Sequence, residues 1–271
     1  MIAMLRKGWA FIRRDFYIES SYKAKFLLSI LESLLLLVFF YFLSKLISAN
    51  GAGPLSRYGG HYFPFAVIGL AFARYFQLTL GMFSQSIRDA QMTGCLEAML
   101  SSQTGCVPIV LMSALYGLIA GAVQLVVLLG AGGLAFGVDF SHMDVLATVV
   151  VFFLSIAVFV AIGVLSAAAV VWLKQGDPIT WILGGFGSVL GGAYFPVDVM
   201  PGWMQKISLA IPIRYTLDAL RLTILQGYSI SMVARPMLTL LAIAVILLPV
   251  SVTLFVGVIQ QGRREGTLMQ Y

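Results

Sequence analysis

The sequence predicts an all-α membrane protein with six transmembrane helices, an N-terminal amphipathic interfacial helix, and re-entrant helices between spans five and six. Composition is the first reason. Of the 271 residues, 60% are hydrophobic and only 10% are charged, and the mean hydropathy is +0.97, whereas soluble domains average about 45–50% apolar and about 25% charged residues. The second reason is that the apolar residues form about six runs near 20 residues long, the length that crosses a bilayer. A soluble fold of this length cannot bury so much apolar surface, whereas lipid can surround it.

Residues 1–25 are predicted to form the amphipathic helix. Apolar residues recur there at steps of three and four: Ile2, Leu5, Trp9, Ile12 and Phe16. Basic residues fall on the other faces: Arg6, Lys7, Arg13 and Arg14. Such a helix suits the surface of an anionic leaflet. The alternative is a solvated helix packed on a partner, but a membrane span follows at once, and this favours the interface.

Residues 26–271 are predicted to form one six-span transmembrane domain. Its predicted spans are 26–47, 62–83, 107–129, 145–173, 179–195 and 237–259. Span five is rich in glycine and is followed by Pro196 and Pro201, residues that break helices. Non-helical backbone persists at membrane depth only where protein or a water-filled cavity covers it. We therefore expect span five to break near its outer end and residues 191–227 to form an outer re-entrant segment.

Charge predicts the orientation. Basic residues precede the first span and follow the last: Arg6, Lys7, Arg13, Arg14, Lys23, Lys25, Arg263 and Arg264. Basic flanks stay on the cytoplasmic side, and an even number of spans places both termini there. We expect a multi-pass protein of the inner (plasma) membrane with lipids as partners. The net charge of +6 has the same explanation, so no nucleic-acid partner is predicted.

Motifs for catalysis are absent from the sequence. It contains no H-E-x-x-H, no G-x-S-x-G and no G-x-x-x-x-G-K-S/T phosphate loop. His61 and His142 lie near predicted outer ends of spans, and Cys95 and Cys106 have no histidine nearby. No catalytic, cofactor-binding or metal-binding residue is therefore predicted, and any ATP-driven activity requires an ATPase on another chain.

Polar residues inside the predicted spans are candidates for function, because a charge at the bilayer centre costs at least about 2.5–3.5 kcal/mol. Glu32 lies in the first span and Arg74 in the second. We expect them either to line a substrate path or to pair and hold helices together. Glu32 is near the cytoplasmic end, where it can also snorkel. Gln77, one turn from Arg74, is the predicted companion of that residue.

Aromatic residues cluster at the end of span one and along span two. They are Phe39, Phe40, Tyr41 and Phe42, and then Tyr62, Phe63, Phe65, Phe72, Tyr75 and Phe76. We expect these residues to form an aromatic belt at the membrane interface and to face lipid. The alternative, which we consider weaker, is a surface on which sugars or flat apolar substrates stack.

Two segments carry a recognisable pattern. Residues 194–221 read YFPVDVMPGWMQKISLAIPIRYTLDALR, which closely resembles the C-terminal signature of ABC-2-type permeases, F-P…P-x-W-x-Q…P…(D/E)-A-x-R. Residues 87–100 read IRDAQMTGCLEAML, which resembles that family's cytoplasmic loop between spans two and three, G-T-L-E-x-L-L-x-T-P. Cys95 replaces the usual threonine, and Gln103 stands where proline is common.

The resemblance implies a permease that forms a homodimer or pseudo-dimer and binds two copies of a cytoplasmic ATP-binding subunit. That subunit would hold ATP and Mg. The resemblance also implies that segment 84–105 and the N-terminal helix contact it, through Arg88, Asp89, Glu97, Arg13 and Arg14. The outer signature residues would form the exit: Pro196, Pro201, Trp203, Pro212, Asp218 and Arg221.

The resulting hypothesis is the membrane subunit of an exporter for an amphipathic cargo: a lipid-linked glycan or polysaccharide, a lipid, or a drug-like molecule. The first alternative is a stand-alone secondary transporter or channel. It needs acidic or histidine relay residues deep in several spans, and only Glu32 qualifies. The second is a membrane-embedded enzyme, which needs acidic or histidine residues clustered at one membrane face, whereas here they are scattered.

Overall fold

The chain was described from a computed structural model, which covers residues 2–21, 23–47, 53–100, 104–174 and 176–265. Within these ranges the regular structure is helical. The main helices are α1 Ile2–Ser21, α2 Lys23–Ile47, α3 Tyr62–Met92, α4 Cys95–Leu100, α5 Cys106–Phe136, α6 Val145–Leu173, α7 Thr180–Leu190, α8 Gly202–Ser208, α9 Pro212–Leu225 and α10 Ala234–Glu265. Short 3₁₀ turns occur at Ser56–Tyr58 and Val197–Val199.

Five helices in the described part are long and apolar enough to cross a membrane: α2 (through Leu27–Leu46), α3, α5, α6 and α10. The chain is therefore an all-helical integral membrane protein. Helix α7 occupies the place of the predicted span five but is shorter than residues 179–195, because it ends at Leu190. At 1.5 Å per residue it covers roughly 16 Å, about half of a 30 Å hydrocarbon core.

Where the other long helices differ from the predicted spans, the helix is the longer of the two. Helix α6 coincides with the prediction at 145–173, but α3 continues nine residues past position 83 and α5 continues past position 129. The length of an apolar run reflects the thickness of the membrane. A helix can extend beyond that run, because polar residues also adopt helical geometry. The glycine-rich end of α5 stays helical, and Gly132 there lies against Val67, where a β-carbon would collide.

Helix α3 is the centre of the bundle and the most buried of the five long helices. The aromatic residues predicted to face lipid are instead its core residues: Tyr62, Phe63, Phe65, Phe72, Tyr75 and Phe76 are all buried. That prediction was wrong for the second span. Neighbouring helices cover most of α3, so these rings fill the space between helices instead of meeting lipid.

A second hydrophobic cluster closes one end of the bundle. We call it the end cluster, and it comprises Phe83, Ile87, Leu96, Val110, Ala114, Val164, Ala167, Ala168, Val171, Phe255 and Ile259. It joins the carboxyl-terminal parts of α3, α6 and α10 to α4 and to the beginning of α5. Helices α6 and α10 therefore run parallel. The chain that connects them, described over residues 176–233, returns from the end cluster to the opposite end of the bundle.

The opposite end is built by α8, α9 and the loops around them. The main-chain carbonyl of Thr223 in α9 accepts a hydrogen bond from the Asp144 amide (3.0 Å), and the Thr223 and Thr148 hydroxyls lie 3.1 Å apart. These contacts place α9 beside the first turn of α6, away from the end cluster.

Helix α1 lies beside the beginning of α5. Lys7 Nζ donates a hydrogen bond to Thr104 Oγ1 (2.7 Å), and the rings of Phe16 and Tyr116 meet edge to face. Trp9 and Tyr17 are exposed. The predicted boundary at residue 25 falls inside α2, since α1 ends at Ser21. Helix α1 and the end of α10 are therefore at the same end of the molecule.

Candidate functional site

Segment 84–105, predicted to couple the protein to an ATPase, is described over residues 84–100 and 104–105, and its helical part lies beside the end cluster. Helix α3 ends at Met92. The Thr93 amide then donates a hydrogen bond to the Asp89 carbonyl (3.0 Å), and this turn leads to α4. Leu96 in α4 is only 1% exposed and belongs to the end cluster. Leu96 therefore connects α4 to α3, α5, α6 and α10.

The predicted coupling residues whose side chains the structure describes make separate contacts. Asp89 is exposed and accepts a hydrogen bond from Gln85 Nε2 (3.0 Å). The Nε of Arg88 is buried without a hydrogen-bond partner in the described part of the chain. Glu97 lies in α4, and its side chain lies outside the described residues.

The two arginines predicted for coupling in α1 form contacts within that helix. Arg13 lies over the Tyr17 ring at 5.5 Å, and Arg14 lies over Phe11 at 4.8 Å and pairs with Asp15 at 2.7 Å. Both arginines are exposed, so their charge remains on the surface at the end of the molecule that carries α4.

Glu32 of α2 and Arg74 of α3 form an ion pair. Arg74 Nη2 donates to Glu32 Oε2 at 3.0 Å, with 32% of the Arg74 side chain and 69% of the Glu32 side chain exposed. The pair joins α2 to α3. The Nε of Arg74 is buried without a partner in the described part of the chain.

Gln77 does not join this pair, in contrast to the sequence prediction. Its Nε2 donates to the Gly184 carbonyl of α7 (2.9 Å) and lies 3.4 Å from Ser188 Oγ. The reason is geometry: the amide projects toward α7, where π-helical turns over Thr180–Phe186 leave a main-chain carbonyl within reach. A groove of about 470 Å³ lies here, lined by Gln77, Thr180, Trp181, Gly184, Gly185, Phe186 and Val189.

Asp177 anchors the beginning of α7 near the end cluster, a role that sequence analysis missed. Its carboxylate accepts hydrogen bonds from the Ser166 hydroxyl of α6 and the Thr180 amide. Burial by itself raises the pKa of Asp177, but hydrogen bonds from Ser166, Ser84 and Thr180 outweigh it and lower the pKa below its usual range. Asp177 therefore joins α6 to the beginning of α7 by accepting a hydrogen bond from each.

Arg221 organises the opposite end from inside the protein. It is 3% exposed, and its guanidinium donates to the carbonyls of Phe65 (3.2 Å), Gly192 (2.9 Å) and Ala193 (2.9 Å). It also lies 3.4 Å from the centre of the Phe65 ring. One side chain thus ties α9 to α3 and to the loop after α7.

Gly69 permits this arrangement. A β-carbon there would overlap the Ala193 carbonyl and the Arg221 guanidinium. Sequence analysis did not select Gly69, because a glycine in an apolar helix is ordinary and only the packed neighbour reveals the need for it.

Asp218 lies one turn before Arg221 but faces the loop between α2 and α3. It accepts a hydrogen bond from the Tyr58 hydroxyl (2.7 Å) and pairs with Arg57 (3.1 Å). Burial, and then the neighbouring Asp218 carboxylate, raise the pKa of Tyr58, so the phenol stays protonated and donates. The two charged residues of the signature therefore have separate roles. Asp218 holds the loop between α2 and α3, and Arg221 ties α9 to α3 and to the loop after α7.

The remaining signature residues shape the chain between α7 and α9. Pro196 and Pro212 are buried, Pro201 precedes α8, and Pro212 begins α9, where a proline costs no helical hydrogen bond. Trp203 is 64% exposed. In the described part of the chain, no group of three or more His, Cys, Asp or Glu residues could hold a metal ion.

Comparison with known proteins bears on the same region. The family model described as "ABC-2 type transporter" matches residues 91–225, about half of the chain, from the end of α3 to the end of α9. None of the curated proteins compared with the chain matches it significantly. The matched region includes α4, Gly184 of the groove and both Asp218 and Arg221. An all-helical membrane protein with this match is a permease, and the chain belongs to the ABC-2 type transporter family.

Proposed function

We propose that the chain is the transmembrane subunit of an ATP-driven exporter that moves an amphipathic cargo outward from the cytoplasmic side. A separate partner would bind ATP and Mg and hydrolyse the nucleotide. Two partner copies and a second copy of this chain would complete the complex. Family membership supports the permease and its ATP-binding partner, and the remaining details are part of the proposal.

One observation carries the coupling step. Helix α4 has only six residues, yet its Leu96 is buried among residues of four long helices. A partner that moves α4 would therefore move the ends of these helices together, because close-packed interiors transmit displacement. The exposed basic residues of α1 lie at the same end and would add contacts to the partner.

The proposed topology has six crossings, with both termini in the cytoplasm and residues 191–227 re-entrant from outside. Its support is the parallel course of α6 and α10, since two successive parallel spans require a return crossing through α7 and the loop after it. Membrane-impermeant maleimide tests it on a Cys106→Ser background. Cys95, which is exposed, should be labelled only from the cytoplasmic side. A Ser231→Cys variant in which Cys95 is also replaced by serine should be labelled only from outside. Labelling of both positions from one side contradicts six crossings.

The proposed cargo path is the α2–α3–α7 face that carries Glu32, Arg74 and Gln77. Glycines and π-helical turns in α7 support a path here, because such a backbone can change conformation more easily than a regular α-helix. The same face would meet the second copy, so that two grooves would form one cavity.

Co-purification tests the central claim. The tagged chain, solubilised mildly from its native membrane, should retain a subunit with a phosphate-binding loop. Leu96→Ala should reduce permease-dependent stimulation of ATP hydrolysis several-fold, and Met92→Ala, at a position 70% exposed, is the matched control. Glu97→Ala tests the predicted contact itself. A chain that purifies alone and transports without ATP refutes the proposal in favour of a stand-alone transporter.

A further inference from the structure

Glu32 lies on an exposed apolar stripe of α2. Leu28, Leu35 and Phe39 are exposed one or two turns away along the same stripe, at 63%, 61% and 59%, and the Glu32 carboxylate lies among them with 69% of its side chain exposed. A charge surrounded by hydrocarbon is costly, and intramembrane ionisable groups face bundle interiors or water-filled cavities. The stripe therefore borders a cavity or an interface.

Arg74 has binding capacity that Glu32 does not use. A guanidinium carries five N–H donors in a planar fork, and the ion pair with Glu32 joins one nitrogen to one oxygen. The Nε has no partner in the described part of the chain but is buried, so a ligand would bind through the two terminal nitrogens. A phosphate or carboxylate can accept hydrogen bonds from two donors of a guanidinium at once. Glu32 accepts from only one nitrogen of Arg74.

The position of Arg74 defines the rest of the ligand. Arg74, Gln77 and Gly81 follow at steps of three and four and share one face of α3. Gln77 lines the groove beside α7, with Trp181 and Phe186 among the other lining residues. The site therefore combines an anion-binding group with an apolar groove one helical turn away, which is the pattern of an amphiphile with a charged head.

We propose that Arg74 binds the anionic headgroup, a phosphate or a carboxylate, of an amphiphile whose apolar part lies in the α3–α7 groove, and that Glu32 occupies the guanidinium until the cargo displaces it. This inference rests on the proposed function and narrows its cargo class. Glu32 lies five residues after Leu27, where the span begins, or roughly 7–8 Å into it. In the proposed orientation, the headgroup enters from the cytoplasmic leaflet.

Direct binding to the full chain provides the test and needs no ATPase. Trp181 is kept as the single tryptophan by replacing Trp9, Trp172 and Trp203 with phenylalanine, and the protein is placed in phosphatidylcholine nanodiscs. Its fluorescence is followed during separate titrations with dodecyl phosphate, inorganic phosphate and dodecyl maltoside. Dodecyl phosphate should change the Trp181 signal with saturation, and neither other probe should do so.

Two variants should change the affinity for dodecyl phosphate in opposite directions. Arg74→Gln should weaken dodecyl phosphate binding about tenfold or more, the loss expected for a charge-assisted hydrogen bond. Glu32→Gln should strengthen it several-fold, because the competing carboxylate is gone. Lys45→Gln, which removes a positive charge from the far end of α2, is the control for net charge and should leave the affinity unchanged.

The remaining outcomes overturn the inference. Equal binding of dodecyl maltoside shows an apolar groove without anion recognition, and saturation by inorganic phosphate at the same affinity shows a small-anion site. Weaker binding in both the Arg74 and Glu32 variants, with lowered thermal stability in both, shows a structural ion pair. Because these readouts do not involve ATP, loss of the partner in co-purification refutes the exporter proposal without affecting them.

Discussion

Replacing Arg221 with methionine removes the donor of three hydrogen bonds while keeping an unbranched side chain in the same space. Gly192 and Ala193 follow the end of α7, where the last carbonyls of a helix lack amide partners within the helix. Both residues are buried, and both carbonyls accept from Arg221 at 2.9 Å. The substitution therefore leaves two buried acceptors without this donor.

The expected cost follows from those two acceptors. A buried acceptor without a partner costs about 1–3 kcal/mol, so two of them cost roughly 2–6 kcal/mol, with a central value of about 4 kcal/mol. For a chain of this size, 1 kcal/mol shifts the thermal midpoint by about 2–4 °C. Arg221→Met should therefore lower the midpoint of the detergent-solubilised protein by roughly 8–16 °C.

Arg214→Met is the matched control for this measurement. Arg214 is also in α9 but is only partly buried, and Nη1 donates to one carbonyl, that of Gln205, at 3.3 Å. Its loss should shift the midpoint by no more than about 4 °C. Thermal unfolding followed by intrinsic fluorescence measures both variants. Equal midpoints for the two would refute the role assigned to the buried guanidinium.

Three further predictions concern single positions. Gly69→Ala should destabilise the protein by about 1–3 kcal/mol or more, since the new methyl group meets the Ala193 carbonyl, whereas Gly130→Ala, with open space around the β-carbon, should be tolerated; equal thermal midpoints would contradict this. Asp177→Asn should make the free energy of unfolding less dependent on pH in the acidic range. Its lowered pKa means that the carboxylate stabilises the fold above its unfolded-state pKa and that this contribution is lost as pH falls toward the folded-state pKa; an unchanged acid limb would count against it. Tyr58→Phe should cost about 1–3 kcal/mol through loss of a hydrogen bond to a carboxylate, measured by thermal unfolding, and a neutral result would show that the loop is held in other ways.

Local sequence predicted the parts of this protein that depend on adjacent residues. Apolar runs located the long helices, because a membrane sets the number of consecutive apolar residues that a span needs, and residues 145–173 coincide with α6. Three-and-four periodicity predicted α1. The patterns at residues 87–100 and 194–221 predicted the family, which the family match confirmed. Prolines and glycines predicted the irregular chain after α7, although the sixth crossing and the re-entrant course remain proposals.

Tertiary structure alone decided which residues meet. For Glu32 and Arg74 the sequence left two alternatives open, a substrate path or an ion pair, and the structure shows the ion pair. Arg221 bonds to a carbonyl 156 positions away, and spacing along the chain contains no information about such a partner. The same is true of Leu96, whose burial makes α4 a candidate lever, and of the α3 aromatic residues, which form the core. In a membrane protein an apolar residue suits both lipid and core, so hydrophobicity predicts that a helix forms, and only helix packing determines which face turns inward.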